Sequence, residues 1–195
     1  FAGIVDMLFS DDQTSRHLIN ITSHDYYTYT HSISVGFLAA SLAKDFYRMS
    51  DAHNMHELGA GFFLHDLGKT KIDLDIINKP GRLTDEEMRS MRHHPAFGYK
   101  ILKEADQLSE ECKLIVLQHH ERFDGKGYPL GLKMDDIHDY GKICAIADVY
   151  DALTTVRPYK KKMTPFEALM LMQKEMSSHF HAKLLEHFVL MLSRQ

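Results

Sequence analysis

Hydrophobic residues recur at intervals of three and four along most of this chain, which is the spacing of an amphipathic helix. Segment 29–47 shows the pattern in its broadest form, with apolar residues at Ile33, Val35, Phe37, Leu38, Leu42 and Phe46. The same spacing predicts further helices over 56–67, 110–121, 140–155, 165–176 and 182–193. No stretch of the sequence combines sustained strand alternation with hairpin signals. The pattern therefore predicts a single all-α domain.

Short polar motifs mark several helix boundaries. Residues 84–87, Thr-Asp-Glu-Glu, have the spacing of a capping box, so a helix begins there. The His-Pro pair at 94–95 is expected to end it, because the residue before proline avoids the helical region. The Thr-Pro pair at 164–165 supplies an N-cap followed by proline at the first helical position. A loop dense in turn formers occupies 124–129.

Composition narrows the class of protein. The chain has 195 residues, of which 44% are hydrophobic and 26% charged, so a disordered or collagen-like chain is excluded. No apolar run reaches membrane-spanning length, and we expect no membrane contact from this domain. The net charge of −4 gives no support for a polymeric nucleic acid as partner. Cys112 and Cys144 lack CxxC spacing, which fits a reducing, cytoplasmic location.

The chain starts at Phe1, without Met and without a signal-peptide pattern. We therefore expect a piece of a longer protein. In this interpretation residues 1–23 form an N-terminal helical segment at the end of a linker, and residues 24–195 form the folded domain.

Histidine is the unusual residue, with 14 copies against no tryptophan, and it is the commonest metal ligand. His65-Asp66 ends an apolar helix, and Asp148 lies inside another. An ionised carboxylate is costly in such places unless it is paired or binds a metal. The alternatives are a capped helix end with a satisfied histidine at 65–66, and a carboxylate that faces solvent at Asp148 or Asp151.

Other histidines occupy places from which they could join the same site. His31 falls on the buried stripe of segment 29–47, where a lone histidine is usually a satisfied core residue. The adjacent His119 and His120, at a helix end before the glycine-rich loop, can reach one metal from neighbouring directions. Spacing leaves His93 and His94 equally open. We expect the remaining histidines to be ordinary surface or packing residues: His17, His24, His53, His56, His138, His179, His181 and His187.

Together these side chains make a candidate metal centre of five histidines and two aspartates. Imidazole and carboxylate without thiolate suit iron, manganese, nickel or zinc. Seven ligands exceed what one ion with an open position needs, and they suit two ions bridged by a carboxylate. The candidates are His31, His65, Asp66, His94 or His93, His119, His120 and Asp148.

A basic run follows the Asp148 helix and consists of Arg157, Lys160, Lys161 and Lys162. A charge run of this kind is usually a solvated face. In an acidic chain, beside a proposed metal ligand, it also suits a phosphate-bearing substrate. Lys69 adds a further cation three residues after Asp66.

Several longer motifs appear in a fixed order. They are His-Asp-Leu-Gly-Lys at 65–69, Lys-Pro-Gly-Arg-Leu-Thr at 79–84, His-His-Pro at 93–95, His-His-Glu-Arg-Phe-Asp-Gly-Lys-Gly-Tyr-Pro at 119–129, Ala-Asp-Val-Tyr-Asp-Ala-Leu-Thr at 147–154 and Arg-Pro-Tyr-Lys at 157–160. Over about residues 24–190 the chain resembles the HD-GYP domain, the subgroup of HD phosphohydrolases that hydrolyses cyclic dinucleotides. The resemblance implies an HD-type helical bundle with a metal site in its core and a GYP loop at 127–129.

The resemblance also implies metal ligands. One metal would be surrounded by His31, His65, Asp66 and Asp148. Asp66 would bridge to a second metal, held by His94, His119 and His120. The resemblance thus prefers His94 over His93, which spacing alone leaves open.

Further roles follow from the same resemblance. Tyr27 stands where members with three metals carry a glutamate, which argues for two ions, with iron favoured. Asp66 and Lys69 would be the catalytic residues, and the substrate would contact Lys69, Tyr128, Arg157 and Lys160. Near the C-terminus the chain has Phe-His-Ala at 180–182 where the family has Phe-Asp-Pro, which leaves the cap of the last helix open.

These features predict hydrolysis of a phosphodiester. Two ions would hold a hydroxide in line with phosphorus, while Lys69 and Arg157 stabilise the charge on the phosphoryl oxygens. The resemblance implies cyclic di-GMP as substrate, opened to linear pGpG with further cleavage to GMP. The alternatives are hybrid cyclic GMP-AMP, a nucleoside phosphate, and a catalytically silent sensor or interaction module whose GYP loop docks a GGDEF-type partner. A homodimer also stays open.

Overall fold

A computed structural model describes residues 26–48, 52–106, 108–155 and 162–194. In these ranges the chain forms helices only and no strand, which confirms the all-α prediction. The α-helices are α1 (Tyr26–Tyr47), α2 (Met55–Phe63), α3 (Leu74–Ile77), α4 (Asp85–Met91), α5 (His94–Ala105), α6 (Glu110–Gln118), α7 (Asp139–Thr154), α8 (Pro165–Lys174) and α9 (Ala182–Ser193). Short 3₁₀ turns occupy Leu67–Lys71, Met134–Asp136 and Ser177–His179.

The core lies between α1, α2, α6 and α7. Helix α1 packs on α2 and α7, and α6 packs on α2, α5 and α7. Each of these four helices supplies side chains without exposed area, among them Val35, Leu42, Phe62, Ile115 and Ile146. Helices α8 and α9 close the bundle. None of the described helices is both long and apolar enough to traverse a bilayer. The predicted N-terminal segment, 1–23, lies outside the described residues.

Most predicted boundaries agree with the helices, but two were wrong. Thr84 and Thr164 each form a complete capping box, as their motifs predict. Helix α4 ends at Met91, however, and the His-Pro pair at 94–95 begins α5 instead of only ending α4. No helix was predicted over 95–105, because a proline that breaks one helix is equally suited to the first turn of the next.

The helix predicted over 56–67 ends at Phe63, and the chain continues through a turn into the 3₁₀ turn Leu67–Lys71. Gly68 shows why this segment leaves the helical path. A Cβ atom there would overlap the carbonyl oxygen of His94 and lie 2.5 Å from the backbone nitrogen of Gly98. The turn therefore packs directly on the backbone of α5, and His65 and Asp66 lie just before this contact.

The last helix begins at Ala182, as predicted, and its cap is provided by His181. The Nδ1 atom of His181 accepts a hydrogen bond from the backbone nitrogen of Leu184 at 3.4 Å. An imidazole thus satisfies one of the free N–H groups at the helix start, the task that an aspartate carboxylate usually performs there.

Candidate metal centre

Seven side chains chosen from the sequence converge in the core of the bundle. They form two groups, and within each group the possible ligand atoms all lie within 4.8 Å of one another. The first group is His31, His65 and Asp148, and the second is Asp66, His94, His119 and His120. Spacing left His93 and His94 open, and the two now differ clearly, because His94 is buried in the cluster while His93 is exposed.

Three of the histidines are oriented in the same way. His65, His94 and His119 each donate a hydrogen bond from Nδ1 to the carbonyl oxygen three residues earlier, at 2.9, 2.8 and 2.8 Å. Each of these carbonyls belongs to the last turn of a helix, α2, α4 or α6. The bond fixes the proton on Nδ1 and leaves the Nε2 lone pair directed into the cluster, which is the arrangement metal-binding histidines use.

Asp66 lies between the two groups and turns one oxygen to each. Its Oδ2 is 3.8 Å from Nε2 of His31 and 3.5 Å from Nε2 of His65. Its Oδ1 is 3.3 Å from Nε2 of His94 and 3.8 Å from Nε2 of His119. A single buried carboxylate is therefore shared by imidazoles from four different parts of the chain.

Two polar atoms at the centre of the cluster have no hydrogen-bond partner. They are Nε2 of His65 and Oδ1 of Asp66, and both are fully buried. Leaving such atoms without a partner inside a protein costs free energy, so a buried unpaired polar atom needs a physical explanation. A cation bound between them would satisfy both, and nitrogen and carboxylate donors fit a divalent transition metal. The residues of the cluster therefore fit a metal site.

His31 is held by a carboxylate on each side. It donates from Nδ1 to Oδ2 of Asp151 at 2.6 Å, and its Nε2 lies 3.0 Å from Oδ1 of Asp148. Burial lowers the pKa of His31, but these two carboxylates outweigh burial and raise the pKa to about 9. Asp148 and Asp151 are both buried, so the alternative in which one of the two α7 aspartates faces solvent was wrong.

The other charges prepare the cluster for a cation. Burial lowers the pKa of His119 well below its ordinary value and that of His120 to about 3, so both imidazoles are neutral. Burial opposes ionisation of Asp66, yet the ammonium group of Lys69, which lies 2.6 Å from Oδ2, and the neighbouring His65 hold the pKa of that carboxyl well below its usual range. Neutral imidazoles at His119 and His120 beside the ionised carboxylate of Asp66 are the protonation states that a metal requires, whereas His31, held protonated by its two carboxylates, would release a proton on binding one.

The glycine-rich loop after α6 is fixed by Glu121, which sequence reasoning missed. This buried carboxylate accepts hydrogen bonds from the backbone nitrogens of residues 130, 131 and 132 at 2.7, 3.1 and 3.0 Å. Gly127 lies against the start of the loop, since a Cβ there would overlap the backbone of Glu121 and Arg122. The only available signal was the position of Glu121 inside the motif at 119–129.

Tyr128 of this loop lies against the cluster. Its ring stacks on His120 with centroids 4.6 Å apart, and its backbone nitrogen donates to the carbonyl oxygen of His120 at 3.1 Å. The guanidinium of Arg92 lies 5.4 Å from the centre of the same ring. Tyr128 therefore lies beside a candidate metal ligand, and its predicted contact with substrate stays a prediction.

An open cavity of about 490 Å³ leads to the cluster. Its polar lining consists of Thr28, His31, Asp66, Lys69, His94, His120, Tyr128 and Asp148. Two further substrate-binding candidates, Arg157 and Lys160, lie outside the described residues, and nothing places them at this cavity.

Several of the histidines expected to be ordinary have structural roles. His138 caps α7, as His181 caps α9. The Nδ1 atom of His53 is hydrogen-bonded to the Tyr140 hydroxyl at 2.7 Å. His17 and His24 lie outside the described residues.

A family model described as an HD domain matches residues 14–184. The chain belongs to the HD domain family. The resemblance drawn from its motifs is thereby confirmed at the level of the family, and the helical bundle agrees with it. Members of the HD domain family are metal-dependent, which is consistent with the cluster of histidine and aspartate side chains described above.

Curated relatives of this HD domain include the cyclic di-GMP phosphodiesterase PA4108 of Pseudomonas aeruginosa. It is 40% identical over 172 residues, covering 88% of this chain and 41% of the relative. The 3'3'-cGAMP-specific phosphodiesterase 2 of Vibrio cholerae is 41% identical over 124 residues, covering 63% of this chain and 24% of the relative. The chain thus spans less than half the length of these relatives.

Among solved structures, the HD domain fold is shared with Bd1817, described as a HDG"Y"P protein, from Bdellovibrio bacteriovorus. The TM-score is 0.70 at 22% identity, and the match covers 85% of this chain and 52% of the other. At that identity the likeness concerns the fold alone.

Proposed function

We propose that this HD domain is a metal-dependent phosphodiesterase that hydrolyses cyclic di-GMP to linear pGpG, with further cleavage to GMP, at a centre of two divalent ions. The observation that carries the proposal is the position of Asp66, whose two oxygens face two separate groups of candidate ligands. One ion would be held by His31, His65, Asp148 and Asp66. The other would be held by Asp66, His94, His119 and His120.

Metal ions held there would lower the pKa of a water and polarise the phosphate that it attacks. The protein's part is to hold the ligands before any substrate arrives, through the Nδ1 hydrogen bonds of the histidines. Lys69 lines the cavity and lies 2.6 Å from Asp66, so its ammonium is within reach of a phosphate at the cluster. Donors placed where charge develops stabilise the transition state. Iron is our first expectation for the metal, ahead of manganese, nickel and zinc.

Cyclic di-GMP is proposed as substrate because relatives that match most of this chain carry that activity in their names. Hybrid cyclic GMP-AMP is the second candidate, supported by the relative named for that substrate. A silent sensor is disfavoured, since all seven candidate ligands are present and assembled. The GGDEF-type partner, the homodimer and the cytoplasmic location stay predictions.

The test combines metal analysis with turnover. Protein prepared without oxygen should contain two transition ions per chain and should convert cyclic di-GMP to pGpG, measured by chromatography. One ion or fewer at full occupancy would contradict the two-ion centre. Tight binding of cyclic di-GMP and of cyclic GMP-AMP without cleavage of either would favour the sensor instead.

A further inference from the structure

The cavity that leads to the cluster has an apolar part which the proposed chemistry does not use. Ile77, at the end of α3, and Met88 and Met91, on α4, contribute to its lining. We refer to these three side chains as the apolar wall. Val149, Ala152 and Leu153 of α7 extend the apolar lining on the helix that carries Asp148. Polar ligands and an apolar surface thus share one open space.

Burial in the core does not explain the apolar wall. Neither α3 nor α4 contains a buried residue, and Met88 is 38% exposed. A single exposed hydrophobic residue is ordinary in a folded protein. One exposed and two half-buried apolar side chains that converge on a cavity beside a candidate metal cluster are the pattern of a ligand pocket, in which apolar walls surround a few directed polar groups.

The segment that carries the wall is held in place by its own contacts. Lys79 binds both carboxylate oxygens of Glu87, at 2.7 and 2.6 Å. The same carboxylate accepts a hydrogen bond from the backbone nitrogen of Thr84 at 2.7 Å and completes the capping box of α4. These bonds join the end of the α3 segment to the start of α4, so the wall is formed before a ligand arrives.

Resting on the proposed function, we infer that the apolar wall is the surface on which a purine base of the cyclic dinucleotide packs while its phosphate is held at the cluster. Methionine sulfur and methyl groups pack well on aromatic faces and adapt to their shape. Side chains of this kind contact the face of a base and cannot hydrogen-bond to its edge. The wall therefore adds affinity for purine dinucleotides without distinguishing guanine from adenine.

The test uses Met88→Ala and Met91→Ala in the metal-loaded protein. Loss of one such contact should raise KM for cyclic di-GMP about tenfold, with a smaller change in kcat. KM for cyclic GMP-AMP should rise by a similar factor. Inorganic phosphate, as a competitive inhibitor without a base, should keep its inhibition constant. Leu74→Ala is the matched control, because Leu74 lies on α3, is 43% exposed and does not line the cavity.

Three results would overturn the inference while the proposed function stands. They are an active wild type with unchanged KM in both methionine variants, a parallel shift in the inhibition constant of phosphate, and a change confined to one of the two dinucleotides. A wild type that is inactive on both dinucleotides would overturn the proposed function itself. Circular dichroism of each variant confirms that the fold is kept.

Discussion

The cavity is built from two regions that differ in how they are held. Helix α7, which carries Asp148, has eleven of its sixteen residues buried, whereas α3 and α4, which carry the apolar wall, have none. The candidate ligands are thus fixed by the same packing that holds the bundle together. The segment of the apolar wall is held by the Lys79–Glu87 bonds and the capping box of α4, and the main-chain carbonyl of Met91 joins it to His94. Because α3 and α4 contribute no buried residue, the side chains of the wall can change without disturbing the core, and substrate affinity can vary separately from the metal-binding cluster.

The largest effect is expected at the shared carboxylate. Asp66→Asn removes the negative charge that both groups of ligands face, so metal content should fall at both positions and turnover by about a thousandfold or more. His119→Ala affects one group only and should leave part of the metal bound. Elemental analysis and steady-state kinetics measure both effects, with the exposed Asp75→Asn as control. An Asp66→Asn variant that kept two ions would contradict the sharing.

A smaller effect on metal affinity is expected at Asp151, which accepts the Nδ1 hydrogen bond of His31. Asp151→Asn weakens the partner of Nδ1, which orients the ring and increases the basicity of its other nitrogen. Loss of such a supporting carboxylate typically costs 10- to 100-fold in metal affinity. Competition with a chelator of known affinity gives the value. Asp139, on the same helix, is exposed and pairs with Lys142. As the control, Asp139→Asn should leave metal affinity unchanged. Equal affinities in the two variants would show that Asp151 does not support the site.

The next smaller effect is expected at the glycine-rich loop after α6, which Glu121 holds in place. Glu121→Gln replaces an acceptor of three backbone hydrogen bonds by a side chain that is half donor, and should lower the free energy of unfolding by about 1–3 kcal/mol. Trypsin should then cut faster inside the loop, at Arg122, Lys126 or Lys133. The exposed Glu111→Gln is the control for a simple change of charge. Unchanged proteolysis would mean that the loop is held by other contacts.

The smallest effects are expected at the capping boxes that begin α4 and α8. Thr84→Ala and Thr164→Ala each remove a capping box, a change worth about 1 kcal/mol of helix stability. Thr84→Ala should fray α4, accelerate hydrogen exchange there and raise KM a few-fold, with little change in global unfolding. Thr164→Ala should lower the free energy of global unfolding and leave KM unchanged, because α8 packs on the core. Equal effects of the two substitutions on global stability would remove the contrast between core and wall.

Sequence alone was sufficient for the helices with strong periodicity and for the seven clustered side chains. It failed where a role depends on contacts distant along the chain. Asp151 acts through His31, which lies 120 residues away, and Glu121 acts on backbone atoms up to eleven residues ahead. Helix α5 was missed because proline breaks and starts helices with equal ease. Spacing alone could not separate His94 from His93; the family resemblance favoured His94, and it is His94 that is buried in the cluster.

The contact at Gly68 determines how closely the turn after Asp66 approaches helix α5. The turn after Asp66 lies backbone to backbone on α5, at whose first residue His94 stands. No side chain separates the two segments at that point, so their spacing is determined by the van der Waals radii of main-chain atoms. Substitutions elsewhere in the bundle can alter how side chains pack without increasing the distance between the turn at Gly68 and the backbone of α5. The separation of Asp66 from His94 is therefore a property of the polypeptide itself and does not depend on which hydrophobic residues surround it.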